Sequence, residues 1–276
     1  QTIFEIKSIA SVPPILSIDQ EGGRVERTEN IHNGKKYLSA KFAFEKGETF
    51  LKTQTEEIAR ELKSYGLNMN FAPCIDVNTN PANPIIGERA FSYNAEDVIK
   101  GEKIVSDVYR NNGIIPCVKH FPGHGDANAD SHLTLPEIDL SLSEMEKTHI
   151  KPFAEAVKNG IETVMVAHLH CTCFEKEVIP TSLSKNAISY LRNNLNFDGV
   201  TISDDMIMKG VAKFGMLEAC EMGIRAGLNM FIFRNSIIDV IEKLAKKAQT
   251  DVELFQNIED SYSRIITLKE KFNLIR

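Results

Sequence analysis

Six short apolar runs, at 14–18, 67–72, 114–118, 163–167, 199–203 and 229–233, recur along the 276-residue chain with longer amphipathic stretches between them. Runs this short and this uniformly apolar suit strands covered on both faces of a parallel sheet. Residues 53–65, 97–111, 143–157, 184–195 and 216–226 carry the apolar spacing of helices, and Gly66, Gly113 and Gly227 stand just beyond three of them as stop signals. The stretch 143–157 reads as one helix, opened by a capping box of Ser143 and Glu146. Strands alternating with helices in this way point to β/α units. The expected fold class is α/β, a TIM-type (β/α) barrel forming a single catalytic domain over 1–276, since such barrels run to about 250 residues. Six runs are two short of eight, and residues 2–10 read as part of a helix; the first two strands are therefore expected to precede residue 1.

Composition narrows the function classes. A net charge of −6 and the lack of a Lys/Arg cluster argue against a nucleic-acid partner. No apolar run approaches the roughly 20 residues of a membrane span, so no membrane partner is expected. No signal peptide opens the sequence, and a cytoplasmic location is expected. The five cysteines, Cys74, Cys117, Cys171, Cys173 and Cys220, are odd in number and irregularly spaced, which suits reduced, mostly buried thiols. Nothing in the sequence sets an oligomeric state.

Polar residues gather where the apolar runs end. Asp19, Lys119 with His120, His168, Asp204 and Arg234 directly follow five runs, and Asp76 lies four residues beyond the sixth. In parallel β/α proteins functional groups collect at the C-terminal ends of strands, so this placement favours an enzyme. The densest segment is KHFPGHGDANADSH, 119–132, where Pro122, Gly123 and Gly125 dictate a shaped loop rather than a helix. Asp130 and His132, two apart, share one side if that segment is extended; a carboxylate on one imidazole nitrogen leaves the other free for proton transfer. His120, His124, Asp130 and His132 also make a metal-ligand set, although the loop lacks the helical i, i+4 face of a zincin pair. At Asp204–Asp205 the first carboxylate continues the strand, open to roles as base, nucleophile or ligand, and Asp205 is expected to cap the following helix. Asp19 can accept from sugar hydroxyls, and Arg27 and Arg89 can donate in bidentate fashion.

Four ordered motifs, DQEGGRVER (19–27), IGERAF (86–91), KHFPGHGDANADSH (119–132) and FDGVTISDDM (197–206), together resemble glycoside hydrolase family 3 and, within it, the short bacterial β-N-acetylglucosaminidases of NagZ type. The similarity runs from about residue 9 to 233. It implies that Asp204 is the catalytic nucleophile, that His132 is the general acid/base with Asp130 as its dyad partner, and that Asp19, Arg27, Arg89, Lys119 and His120 bind the sugar. It implies further that the Asp130–His132 loop supplies the acid/base that family members with β-glucosidase activity take from a second domain. No cofactor and no metal are implied. The substrate implied is a peptidoglycan fragment, a muropeptide with N-acetylglucosamine on anhydro-N-acetylmuramic acid, cleaved with retention in cell-wall recycling. Met206 stands where the family usually has Leu, and residues 27–41 match poorly. A metal-dependent hydrolase and a non-catalytic amino-sugar-binding protein are the alternatives.

Overall fold

The computed structural model describes residues 2–31, 35–127 and 135–275. Every apolar run coincides with a strand, β3 and β7 extending past theirs: β1 (Ser17–Ile18), β2 (Met69–Asn70), β3 (Ile115–Phe121), β5 (Thr163–Val166), β7 (Val200–Asp205) and β8 (Met230–Ile232). They form one sheet in that order, each pair parallel. Two-residue strands β4 (Glu137–Ile138) and β6 (His170–Cys171) make a separate parallel ribbon at the margin. Among the described residues β1 and β8 each pair on one side only, so these six strands form an open sheet rather than a closed barrel. The sheet is nonetheless curled. Residues following β1 and residues in and after β8, at opposite ends of the strand order, line a single cavity.

Period-two alternation divides the core. Val118, Val164 and Val166 face the helices, packing with Ile58, Leu62, Val98, Val105 and Phe153. Their neighbours Cys117, Met165, Val200 and Ile202 face inward, where the C-terminal helix Val252–Lys271 brings Leu268 against them. Lys119 and Asp204 continue the inward rows of β3 and β7, which is how the two strands deliver charge to the mouth of the sheet.

The helices follow the sequence pattern with two corrections. The stretch 143–157 is two helices, Leu142–Lys147 and Lys151–Lys158, with Pro152 in the first turn of the second. A continuous helix would need the N–H that Pro152 lacks, whereas the first turn has no use for it. The capping box belongs to Ser141 and Glu144, two residues earlier than expected. The stretch 184–195 begins as the α-helix Lys185–Ser189 and widens to a π turn over Tyr190–Asn194. The helix Met216–Ala226 stands as expected, and its C-cap Gly227 takes the left-handed conformation at φ 105°. All five cysteines are free thiols, four of them buried and Cys173 half-buried. No helix among the described residues is long and apolar enough to cross a membrane.

Candidate active site

The C-terminal ends of the strands enclose a cavity of about 550 Å³. Asp19, Arg27, Arg89, Lys119, His120 and Asp204 all line it, so residues spread over most of the sequence meet in one place. Asp130 and His132 lie outside the described residues. The segment that carries them leaves at Ala127 and returns at Leu135; a Cβ on Gly210, six residues past Asp204, would sit 3.1 Å from the Leu135 side chain.

Lys119 organises the floor. Its Nζ donates to Asp19 Oδ1 at 2.7 Å and lies 2.6 Å from Glu21 Oε1. Glu21 also takes both arms of Arg89, Nη2 on Oε1 at 2.8 Å and Nε on Oε2 at 2.9 Å. The Lys119 and Glu21 side chains are almost fully buried and that of Arg89 is 11% exposed. Burial alone would raise the Glu21 carboxyl; Lys119 and Arg89 outweigh it and hold it well below the usual carboxylate range. Burial likewise opposes the charge on Lys119, but Glu21 and Asp19 push its pKa above the ordinary value. Arg89 therefore spends its fork on Glu21 and donates through Nη1 to the Ile85 carbonyl at 3.2 Å, rather than presenting a free bidentate face to a sugar. Arg27 is different: exposed at the rim, its guanidinium has no partner among the described residues, and only its backbone N–H is engaged, by Gln20 Oε1 at 2.8 Å.

Behind this cluster sits Asp76, fully buried. It accepts from the His120 ring Nδ1 at 2.7 Å, the His124 backbone N–H at 2.6 Å and the Cys74 thiol at 3.2 Å. Burial would raise this carboxyl too, but His120 and His124 keep it below the usual range. An ionised Asp76 can only accept, so His120 carries its proton on Nδ1 and turns Nε2 toward Arg89 Nη2, 3.3 Å away. Cys74, Asp76 and His120 bring three ligand-type atoms within 4.8 Å of one another. Tetrahedral zinc would hold such atoms roughly 3.3–3.6 Å apart. The 2.7 Å contact is a hydrogen bond instead, and burial, with Asp76 beside it, pushes the Cys74 thiol far up. The trio fits a relay that aims His120 better than a metal centre.

Asp204 lies at the end of β7, where the register against β8 shifts between Ile202 and Asp205; β3 shifts against β5 between Val118 and Phe121, at Lys119–His120. Such irregularities re-aim side chains and are frequent beside active sites. Asp204 Oδ1 accepts from the Asp205 backbone N–H at 2.7 Å. Its pKa is lowered: burial works against ionisation, and His120, His168, that N–H and Lys119 together overcome it. His168, buried after β5, is fixed by Ser182 Oγ at 2.7 Å from Nδ1. Asp205 does not cap a helix. It is the last residue of β7, and its Oδ2 takes Arg234 Nε at 2.6 Å, because the strand runs one residue further than expected and the next helix starts at Lys209.

The loop after β3 is shaped by close backbone approach. A Cβ on Gly125 would lie 1.7 Å from the Val77 carbonyl oxygen, and Gly123 has φ 122°. In the poorly matching stretch 27–41, the Gln54 amide pairs with both the N–H and the C=O of Leu38, fixing that strap to the helix Glu48–Ser64. The sequence reading missed Glu21, although it lies in a quoted motif, and gave Asp76 no partner; strand-end position was the signal available for both.

A model of the glycosyl hydrolase family 3 N terminal domain matches residues 2–268. The chain belongs to glycosyl hydrolase family 3. Among relatives in this family, Beta-hexosaminidase A of Pseudoalteromonas piscicida is 31% identical over 291 residues, covering 96% of this chain and 48% of its own length. The Beta-hexosaminidase of Methylococcus capsulatus is also 31% identical, over 88% of this chain and 75% of its own. A family 3 beta-N-acetylglucosaminidase from Paenibacillus sp. str. FPU-7 superposes with a TM-score of 0.90 at 32% identity, covering 99% of this chain and 53% of that one. The chain thus spans about half the length of the first and third of these relatives.

Proposed function

We propose that this protein is a retaining β-N-acetylglucosaminidase that removes terminal, non-reducing N-acetylglucosamine from peptidoglycan fragments, muropeptides bearing anhydro-N-acetylmuramic acid, in cytoplasmic cell-wall recycling. The observation that carries the reading is Asp204: a strand-end carboxylate kept ionised in a cavity that the Asp19–Lys119–Glu21–Arg89 cluster also lines. An ionised carboxylate there can attack an anomeric carbon, and the ordered hydrogen-bonding groups facing it suit sugar hydroxyls. The names of the relatives support hexosamine as the sugar.

Reaction proceeds by double displacement. Asp204 forms a bond to the anomeric carbon as the glycosidic bond breaks, and His132, oriented by Asp130, gives its proton to the departing oxygen. His132 then takes a proton from water, whose oxygen displaces Asp204 and restores the β configuration. Asp19 and Lys119 position the ring, His120 is aimed by Asp76, and Arg27 at the rim meets the outer part of the substrate.

The test is release of p-nitrophenol from its N-acetyl-β-glucosaminide, with the β-glucoside as control and NMR detection of the first-formed anomer. β-N-Acetylglucosamine as first product supports the reading. An α product, or cleavage of the glucoside alone, overturns it. Loss of activity on chelation would favour metal-dependent hydrolysis, and a parallel reaction in phosphate distinguishes hydrolysis from phosphorolysis.

A further inference from the structure

The mechanism above gives no part to His124. His124 lines the same cavity as Asp204. Its backbone is held from both sides: the N–H donates to Asp76 Oδ1 at 2.6 Å and the carbonyl accepts from Asn83 Nδ2 at 2.8 Å. Gly125 is held against the Val77 carbonyl, and a Cβ on Gly123 would lie 2.7 Å from the His149 Cβ, so the ring's position is dictated by the loop. The residue is 3% exposed and both ring nitrogens are buried, yet neither Nδ1 nor Nε2 has a hydrogen-bond partner among the described residues. His120 and His168, also at this end of the sheet, differ, since His120 Nδ1 meets Asp76 and His168 Nδ1 meets Ser182, each at 2.7 Å. The His124 ring stands edge-on to His120, centroids 6.0 Å apart. Burial lowers its pKa, with Asp76 opposing and His120 reinforcing, so it is a neutral imidazole with one donor and one acceptor.

A buried histidine kept for packing is ordinarily tied to a protein partner, because an unpaired buried nitrogen is costly. A rigid one with both nitrogens free, set in the wall of a polar cavity, is suited to a ligand that can donate or accept. Sugar hydroxyls do both.

We propose that His124 is a substrate-binding residue, one of whose ring nitrogens pairs with a hydroxyl of the sugar held beside Asp204. This rests on the glycosidase reading above. No hydrogen bond among the described residues depends on the ring, so its removal should affect substrate and leave folding alone.

The test compares His124→Phe, which keeps a flat ring without nitrogens, with His124→Gln, which keeps a donor and an acceptor. Each is measured for kcat and KM on p-nitrophenyl N-acetyl-β-glucosaminide, and for melting temperature with and without N-acetylglucosamine. In H124F, kcat/KM should fall by roughly tenfold or more, and the thermal shift given by the sugar should shrink, while the ligand-free melting temperature stays within about 2 °C of the parent. H124Q should recover a substantial part of the loss. If H124F retains kcat/KM within about twofold, or if both variants lose stability in step with activity, the inference is overturned. If the unaltered protein neither cleaves the glycoside nor is stabilised by the sugar, the glycosidase reading itself has failed and the inference falls with it. If it does both and H124F does them equally well, the inference fails alone.

Discussion

Replacing Glu21 by Gln should destabilise the protein more than any other single-atom change in the cavity wall. The carboxylate accepts from Lys119 and from two nitrogens of Arg89, at 2.6–2.9 Å, where all three side chains are shielded from water. Glutamine leaves one oxygen to accept and turns an NH₂ toward a cation that also donates. Breaking a buried pair costs about 3–5 kcal/mol because the surviving charge is stranded. Here Lys119 keeps Asp19 and Arg89 keeps the Ile85 carbonyl, so about 3 kcal/mol is expected. At roughly 2–4 °C per kcal/mol for a chain of this size, the melting temperature should fall by about 6–12 °C. The pH dependence gives a sharper check. Because the folded-state pKa of Glu21 is depressed, its stabilisation is fully present above the unfolded value, roughly pH 4.3, and is lost as pH falls toward the folded value. Denaturant titrations of parent and E21Q should therefore differ by a constant amount near neutrality, and the two should converge in acid below about pH 4. A gap under about 1 kcal/mol at pH 7, or one that stays constant down to about pH 3, would refute the reasoning. The same cluster means that Lys119 and Arg89 serve stability, whatever part the proposed substrate binding gives them.

Asp204→Ala should cut turnover to below about a thousandth of the parent rate with a normal melting curve, and near-normal kcat would remove Asp204 from the nucleophile role. His132→Ala should slow the first step most for substrates with poor leaving groups, since an activated phenol departs with little protonation. Equal losses for p-nitrophenyl and disaccharide substrates would count against an acid role. In Gly125→Ala the new methyl meets the Val77 carbonyl, so the loop must shift and stability should drop by roughly 1–3 kcal/mol. An unchanged loop backbone in a crystal of that variant, with parental stability, would show that the contact is not restrictive.

The main sheet was legible because each of its strands lies in an apolar run, most clearly β2, β3 and β5, which are buried on both faces. β4 and β6 were not, because neither two-residue strand lies inside an apolar run such as those that hold β1 and β2. Pro152 marked the helix break in plain view, yet the flanking apolar spacing continues through it and hides the turn. At the site, strand-end position picked out Asp19, Lys119, His120 and Asp204, and the structure gathers them with Arg27 and Arg89 around one cavity. Pairings such as Glu21 with Arg89 and Asp76 with His120 join residues 68 and 44 apart, and composition and period carry no sign of partners at such distances. Asp205 was misplaced for a local reason: β7 continues through it, where a strand-to-helix turn was expected.

Strand order in the main sheet increases steadily with chain order. During synthesis each strand can therefore dock on the one made just before it, without waiting for a distant segment, and such sequential assembly keeps loop-closure costs low. The ion-paired cluster of Asp19, Glu21, Arg89 and Lys119 is complete once β3 has emerged, whereas Asp204 arrives only with β7. A growing chain thus completes the wall proposed to hold the sugar well before the carboxylate proposed as its nucleophile has emerged.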